Sequence, residues 1–108
     1  MIYELRTYRS MPGKLASLVS RFDSHTLRVF ERFGIRQVGF WTTLVGESNQ
    51  QLTYMLAWDS LADREARWSA FLADPEWKKI VIESEADGPL VQNIRNELLS
   101  PTSFSSVK

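Results

Sequence analysis

The sequence predicts an α+β domain whose strands and helices follow the order β-α-β-β-α-β, and three features carry that reading. The N-terminal residues change face at every step, a long stretch then repeats its apolar residues every three or four positions, and a β-branched, aromatic hairpin precedes a second, capped helix.

In the first strand Ile2, Glu4, Arg6 and Tyr8 point to one side and Tyr3, Leu5 and Thr7 to the other. Met11-Pro12-Gly13 ends it. From Lys14 onward Leu15, Leu18, Val19, Phe22, Thr26, Val29, Phe30 and Phe33 lie on one helical stripe that closes at Gly34. At ~1.5 Å per residue such a helix is ~30 Å long and crosses a whole small sheet. Ser17, Arg21, Ser24, Arg28, Glu31 and Arg32 occupy its outer face, and solvation is the role expected of the arginines there.

Gln37-Val38-Gly39-Phe40-Trp41-Thr42-Thr43 suits a pleated surface, Gly46-Glu47-Ser48-Asn49-Gln50 supplies a polar turn, and Leu52 to Trp58 returns as the hairpin partner. Ser60 and Asp63 form a capping-box start in which an acid replaces the usual Glu, and Asp63 faces Arg67 one turn on. Leu61, Trp68, Phe71 and Leu72 make the inward stripe of this second helix. Asp74-Pro75 begins a shorter helix with Trp77, Ile80 and Val81 inward, and Asp87-Gly88-Pro89 stops it.

The last element is two-sided, because Val91, Ile94 and Leu98 fit helical spacing while Val91 to Leu99 also alternates. A strand is the better choice, since it completes an antiparallel four-stranded sheet beside the first strand, the split β-α-β arrangement of ferredoxin-like folds. Residues 1–100 then form a single domain and residues 101–108 an extended tail.

Both faces of this sheet are apolar. Leu52, Tyr54, Leu56 and Trp58 oppose Thr53, Met55 and Ala57, and Val38 and Phe40 oppose Trp41 and Thr43. Two main helices cover one face, and at ~25 cal/mol per Å² the other is costly to leave wet. A second copy packed sheet to sheet, giving a homodimeric α/β barrel, is the expected cover, with the Asp74 to Ser84 helix folded across the open face as the alternative.

Composition narrows the chemistry. The chain has 108 residues, 44% of them hydrophobic, and 13 basic against 13 acidic side chains. That balance offers no field for a polyanion, so nucleic acid is not expected as a partner. With no cysteine and one histidine, thiol catalysis and a multi-histidine metal site are excluded from one chain. No phosphate loop, nucleophile elbow or EF-hand pattern occurs, and neither a cofactor nor a metal is expected. No secretion signal or membrane-length apolar run is read, and the cytoplasm is the default location.

Four segments in order resemble the NIPSNAP domain family. Tyr3-Glu4-Leu5-Arg6-Thr7-Tyr8 with Pro12-Gly13-Lys14 looks like its start, and Val38-Gly39-Phe40-Trp41-Thr42-Thr43 like its second strand. Trp58-Asp59-Ser60-Leu61-Ala62-Asp63-Arg64-Glu65 with Asp74-Pro75-Glu76-Trp77 is similar to its second helix and following turn, and Leu98 to Ser105 to its close. The resemblance implies a dimeric α/β barrel of ferredoxin-like topology with an extended last element, and implies little about a reaction.

The candidate chemistry starts on the first strand, where Glu4, Arg6 and Tyr8 share a face. If that face lines the barrel interior, Arg6 can hold a carboxylate or enolate, Tyr8 can donate a hydrogen bond, and Glu4 can serve as a base or as the partner of Arg6. The plainer alternative is a structural Glu4–Arg6 ion pair. His25, read as lying on the inward stripe, is the second candidate base, with a helix-edge histidine as its plain alternative. Trp41, Tyr54 and Trp58 are candidate walls of an apolar pocket, although sheet aromatics more often form core. Arg64, between Leu61 and Trp68, either reaches inward or snorkels. The function expected is binding of a small aromatic or anionic metabolite, with cofactor-free catalysis left open and a non-catalytic protein-interaction module as the alternative.

Overall fold

A computed structural model describes all 108 residues. Strand β1 (Ile2–Ser10) is followed by helix α1 (Leu15–Arg21), a π turn (Phe22–Thr26) and helix α2 (Leu27–Arg32), which run on as one helix. Strands β2 (Arg36–Thr42) and β3 (Gln51–Trp58) form the hairpin, and helices α3 (Leu61–Ala73) and α4 (Pro75–Ser84) precede strand β4 (Val91–Leu99). The sheet order is β2-β3-β1-β4 with every neighbouring pair antiparallel, the ferredoxin-like arrangement. The two-sided last segment is a strand because its backbone pairs along β1 from Tyr3↔Leu99 to Ser10↔Val91, a non-local partner that local spacing does not reveal.

Local signals act where the sequence places them. Ser60 accepts from Asp63 N–H at 3.1 Å, Asp74 accepts from Trp77 N–H at 2.9 Å with Pro75 in the first turn, and the Asp63–Arg67 pair closes at 2.6 Å. Gly34 has φ +69° and ends α2, its left-handed conformation letting Ile35 N–H return to the Phe30 carbonyl at 2.9 Å. A Cβ there would also meet the Arg67 guanidinium, which donates to the Phe33 carbonyl at 3.0 Å.

The helices and β3 enclose the core: Leu18, Phe22, Val29, Phe30, Leu52, Tyr54, Leu56, Trp58, Phe71 and Ile80 are all buried. Phe30 links its two aromatic groups, with ring centroids 6.4 Å from Phe22, 6.4 Å from Tyr54, 5.9 Å from Trp68 and 5.0 Å from Phe71. Leu61 departs from the expected inward stripe and is exposed, because it opens the first turn of α3, before the helix reaches the core.

Helix α4 packs on the helix side, its Trp77 ring 4.7 Å from Phe71, so it does not fold across the open face. Its N-terminal acids tie it to the long helix: Arg32 meets Asp74 at 2.6 Å, and Arg28 meets Glu76 at 3.4 Å. The outer arginines of that helix are therefore paired with α4 and not merely solvated. On the open face the turn after β4, where Ser105 N–H reaches the Thr102 carbonyl at 3.1 Å, borders one cleft with Tyr3, Met55 and Leu99. No helix is long and apolar enough to cross a membrane.

Candidate functional site

Strand pairing builds the site before any side chain is considered. The β1 register sets Arg6 between Tyr54 of β3 and Asn96 of β4, and Glu4 between Leu56 and Leu98. Glu4, Arg6 and Tyr8 thus share a face as the alternation requires, but that face lies under the helices. The sheet face opposite the helices, which a barrel interior would use, carries Tyr3, Leu5 and Thr7 instead. The crossover helices fall on the Glu4 side of the sheet, which brings Arg64 of α3 onto the Glu4 carboxylate.

That carboxylate is wholly buried and receives five hydrogen bonds. Trp58 Nε1 and Arg64 Nε donate to Oε1 at 3.0 and 2.8 Å; Arg6 Nη1, Arg64 Nη2 and Asn96 Nδ2 donate to Oε2 at 2.8, 3.0 and 2.9 Å. Burial by itself would push its pKa up, but the hydrogen bonds from Arg64, Asn96 and Arg6 outweigh burial and hold it down at about 2. A carboxylate so placed is a poor proton acceptor near neutral pH, and Glu4 is a brace for two guanidinium groups. Arg64 reaches inward, with its pKa raised by the hydrogen bonds to Glu4.

Arg6 spends one donor on each neighbour: Nε to Tyr54 Oη at 2.9 Å, Nη1 to Glu4, and Nη2 to Tyr8 Oη at 3.0 Å. Burial alone would lower its pKa, but the two phenols and Glu4 raise it, so it stays charged. Its guanidinium carbon sits 4.5 Å from the centroid of the Trp68 ring.

The hydroxyl protons follow from what each phenol can reach. Tyr54 is fully buried, accepts from Arg6, and has one remaining acceptor, Tyr8 Oη at 2.9 Å. Burial pushes the Tyr54 phenol's pKa up, so it remains a donor. Tyr8 Oη therefore accepts from both Arg6 and Tyr54, and its own proton is left to point elsewhere. Tyr8 and Arg6 line a chamber of about 390 Å³ between sheet and helices, walled by Phe22, Phe30, Trp68, Phe71 and Trp77. Leu72 and Ile94, each about half exposed, mark where it meets solvent.

The remaining candidates divide. Tyr54 and Trp58 lie beneath the helices as phenol and indole of the Glu4–Arg6 network. Trp41 is separated from them: it pairs with Thr53 on the opposite face, its ring lies over Gly39, and it is 52% exposed. A register shift between Gln37 and Gly39 sets that orientation. His25 is exposed and borders an outer cleft, while Thr26 next to it takes the buried position. The π turn inserts an extra residue into the helical repeat, with Leu27 N–H bonding to the Phe22 carbonyl, and turns His25 away from the sheet. His25 therefore cannot act with Arg6 and Tyr8 in one chamber.

One residue of the site was invisible in the pattern. Arg21, assigned by helical spacing to the outer face, is buried and lines the chamber. It follows Leu18 by three positions, at the flank of the apolar stripe, and α4 closes over it with Trp77, Ser84 and Glu85. The only local hint was that flank position. No three His, Asp or Glu side chains converge where a metal ion would need them.

An antiparallel sheet roofed on one side, with a part-polar chamber between sheet and helices, places this chain among ferredoxin-like α+β domains. The NIPSNAP family model matches residues 3–106, and the chain belongs to that family. A NIPSNAP family protein from Agrobacterium tumefaciens superposes with a TM-score of 0.88 at 24% identity, covering 99% of this chain and 98% of the other. A NIPSNAP-like domain protein from Burkholderia xenovorans gives 0.85 at 29% identity, with 96% and 87% covered. A candidate antibiotic biosynthesis monooxygenase from Chloroflexus aurantiacus shares the fold alone, with a TM-score of 0.60 at 13% identity over the whole of both chains. No curated protein matches the sequence.

Proposed function

We propose that this NIPSNAP protein binds a small aromatic molecule in the chamber between helices and sheet, and that Arg6 and Tyr8 hold an oxygen of that molecule carrying negative charge. The observation that carries this reading is the approach of Arg6 Nη2 and Tyr54 Oη to Tyr8 Oη at 3.0 and 2.9 Å, from which a spare Tyr8 proton follows. Its oxygen is saturated by Arg6 and Tyr54, and its free O–H stands beside a permanent cation at the wall of an aromatic-lined space. The buried network adds one carboxylate, Glu4, to two guanidiniums, Arg6 and Arg64, and so retains a net positive charge. A cation and a phenol aimed at one point suit a carboxylate, phenolate or enolate oxygen, and stabilising an enolate or phenolate is the step on which cofactor-free chemistry at this site would rest.

4-Nitrophenol tests the pair directly, since its anion is coloured. In the bound state its pKa is expected to fall by about one unit, the worth of a charge-assisted hydrogen bond of about 1.5 kcal/mol. Tyr8→Phe, checked for folding by circular dichroism, should remove most of that shift. Absence of binding at millimolar concentration, or an unchanged shift in Tyr8→Phe, would defeat the assignment.

The oligomeric reading is separate from the chamber, which one chain builds by itself. We infer that a second copy covers the open sheet face, on which Trp41 and Leu99 are well exposed and Leu5 and Met55 are partly so. Strand β4 is a nine-residue edge with unpaired backbone groups, and Ile94 and Leu98 on its other face are also about half exposed. Light scattering on a sizing column is expected to return twice the 12.5 kDa chain mass, with Trp41→Glu shifting it towards the single chain. A native particle of one chain mass at micromolar concentration rules the pairing out.

A further inference from the structure

This inference rests on reading the chamber as a ligand site and names the group that would hold the far end of the ligand. Arg21 is 7% exposed, and its guanidinium uses only one edge within the protein. Nη1 donates to Ser84 Oγ at 3.2 Å and reaches Glu85 Oε2 at 3.5 Å, while Nε–H is enclosed and has no acceptor. An enclosed N–H without a partner is costly, and folded proteins keep few of them. Nη2 likewise has no partner but is not enclosed, so a carboxylate that docks on Nη2 reaches Nε–H after a small shift of the side chain and engages the Nε–Nη2 edge through two parallel hydrogen bonds.

Position gives the second reason. Arg21 belongs to the walls of two cavities at once, the chamber of about 390 Å³ and an outer cleft of about 400 Å³ that holds Ser17, Ser20, Ser84 and His25 but no carboxylate. It is also the residue immediately before the π turn, which carries Phe22 and Thr26 of the chamber wall. The charged residues that line the chamber are two guanidiniums, Arg6 and Arg21, against one carboxylate, Glu85. One added negative charge restores neutrality.

We propose that Arg21 is the acid-binding residue of the chamber and that the ligand is an aromatic carboxylic acid that bears, at its opposite end, the phenol or enol oxygen held by Arg6 and Tyr8. Its carboxylate takes the Nε–Nη2 edge at the boundary with the serine-lined cleft. Its apolar body lies among Phe22, Phe30, Phe71 and Trp77, and the opposite end meets Arg6 and Tyr8. Ser84 and Glu85 hold the guanidinium from its other edge, so it is oriented before the acid arrives.

2-Naphthoate and its neutral analogue 2-naphthamide separate the two layers of this reading, with binding followed by tryptophan fluorescence and calorimetry. The native protein is expected to prefer the acid by about tenfold, the scale of one charge-assisted contact. Arg21→Gln should bring the acid down to the level of the amide while leaving the amide within about twofold, the spread expected of an untouched apolar contact. Arg28→Gln, which removes a guanidinium paired outside the chamber with Glu76, should keep the preference. If Arg21→Gln does not fold, Arg21→Lys keeps the charge without the planar fork and should retain only part of the preference. Equal affinity of both compounds for the native protein, or a preference left undiminished in Arg21→Gln or Arg21→Lys, overturns the role of Arg21 and leaves the chamber standing. Binding of neither compound at millimolar concentration removes the chamber itself, and the proposal with it.

Discussion

Replacing Glu4 with glutamine is expected to destabilise the fold by about 3 kcal/mol, the scale found when one partner of a buried ion pair is removed. The variant keeps the size of the side chain and leaves two arginines facing each other without a counter-charge. Arg64, on the more open side of the network, can turn towards water; Arg6, beneath Trp68 and between two phenols, cannot. For a domain of this size that loss lowers the melting temperature by more than about 10 °C, at roughly 4–8 °C per kcal/mol. Urea denaturation of Glu4→Gln, Arg6→Met and the double variant gives the coupling directly, and the double variant should be more stable than the sum of the singles by more than about 1 kcal/mol. Additive singles, or a Glu4→Gln loss below about 1 kcal/mol, would show that the network contributes little.

The same carboxylate should set the acid limit of the fold. In the folded chain its pKa lies at about 2, against 4.5 for the free group, so protons bind the unfolded chain first as pH falls. The stability Glu4 contributes is full above about pH 4.5 and drains as pH drops from there towards 2. Integrated over that interval it amounts to about 3 kcal/mol, at roughly 1.4 kcal/mol per unit. Asp63, also lowered by the hydrogen bond from Arg67, is partly exposed and adds only a shallow slope. Denaturation midpoints between about pH 6 and pH 2.5 should therefore fall steeply in the native protein and much less in Glu4→Gln. Parallel pH profiles for the two would mean that other carboxylates control acid unfolding.

The legibility of the site in the sequence followed the range of the interactions involved. The shared face of Glu4, Arg6 and Tyr8 is legible because a strand alternates faces whatever lies around it. Which face would be roofed was not readable, because that depends on the side to which both crossover helices fall. An α-helical period puts His25 on the inward stripe, but the segment makes a π turn, and Trp41 leaves the Tyr54 face because β2 shifts register against β3 between Gln37 and Gly39. The burial of Arg21 is illegible for a different reason. Its burial comes from α4, more than fifty positions further along the chain, and no pattern within its own helix records that contact.

The sequence by itself determined the family, the element order, the helix caps at Ser60 and Asp74, and the shared face of Glu4, Arg6 and Tyr8, since each depends on residues that are neighbours in the chain or on a fixed backbone period. Only the tertiary structure decided that Glu4 would be a brace for two arginines, that Tyr8 would have a proton to offer, and that Arg21 would stand at the chamber wall. Those outcomes depend on which donors from distant segments arrive at one buried atom, and that is settled by packing.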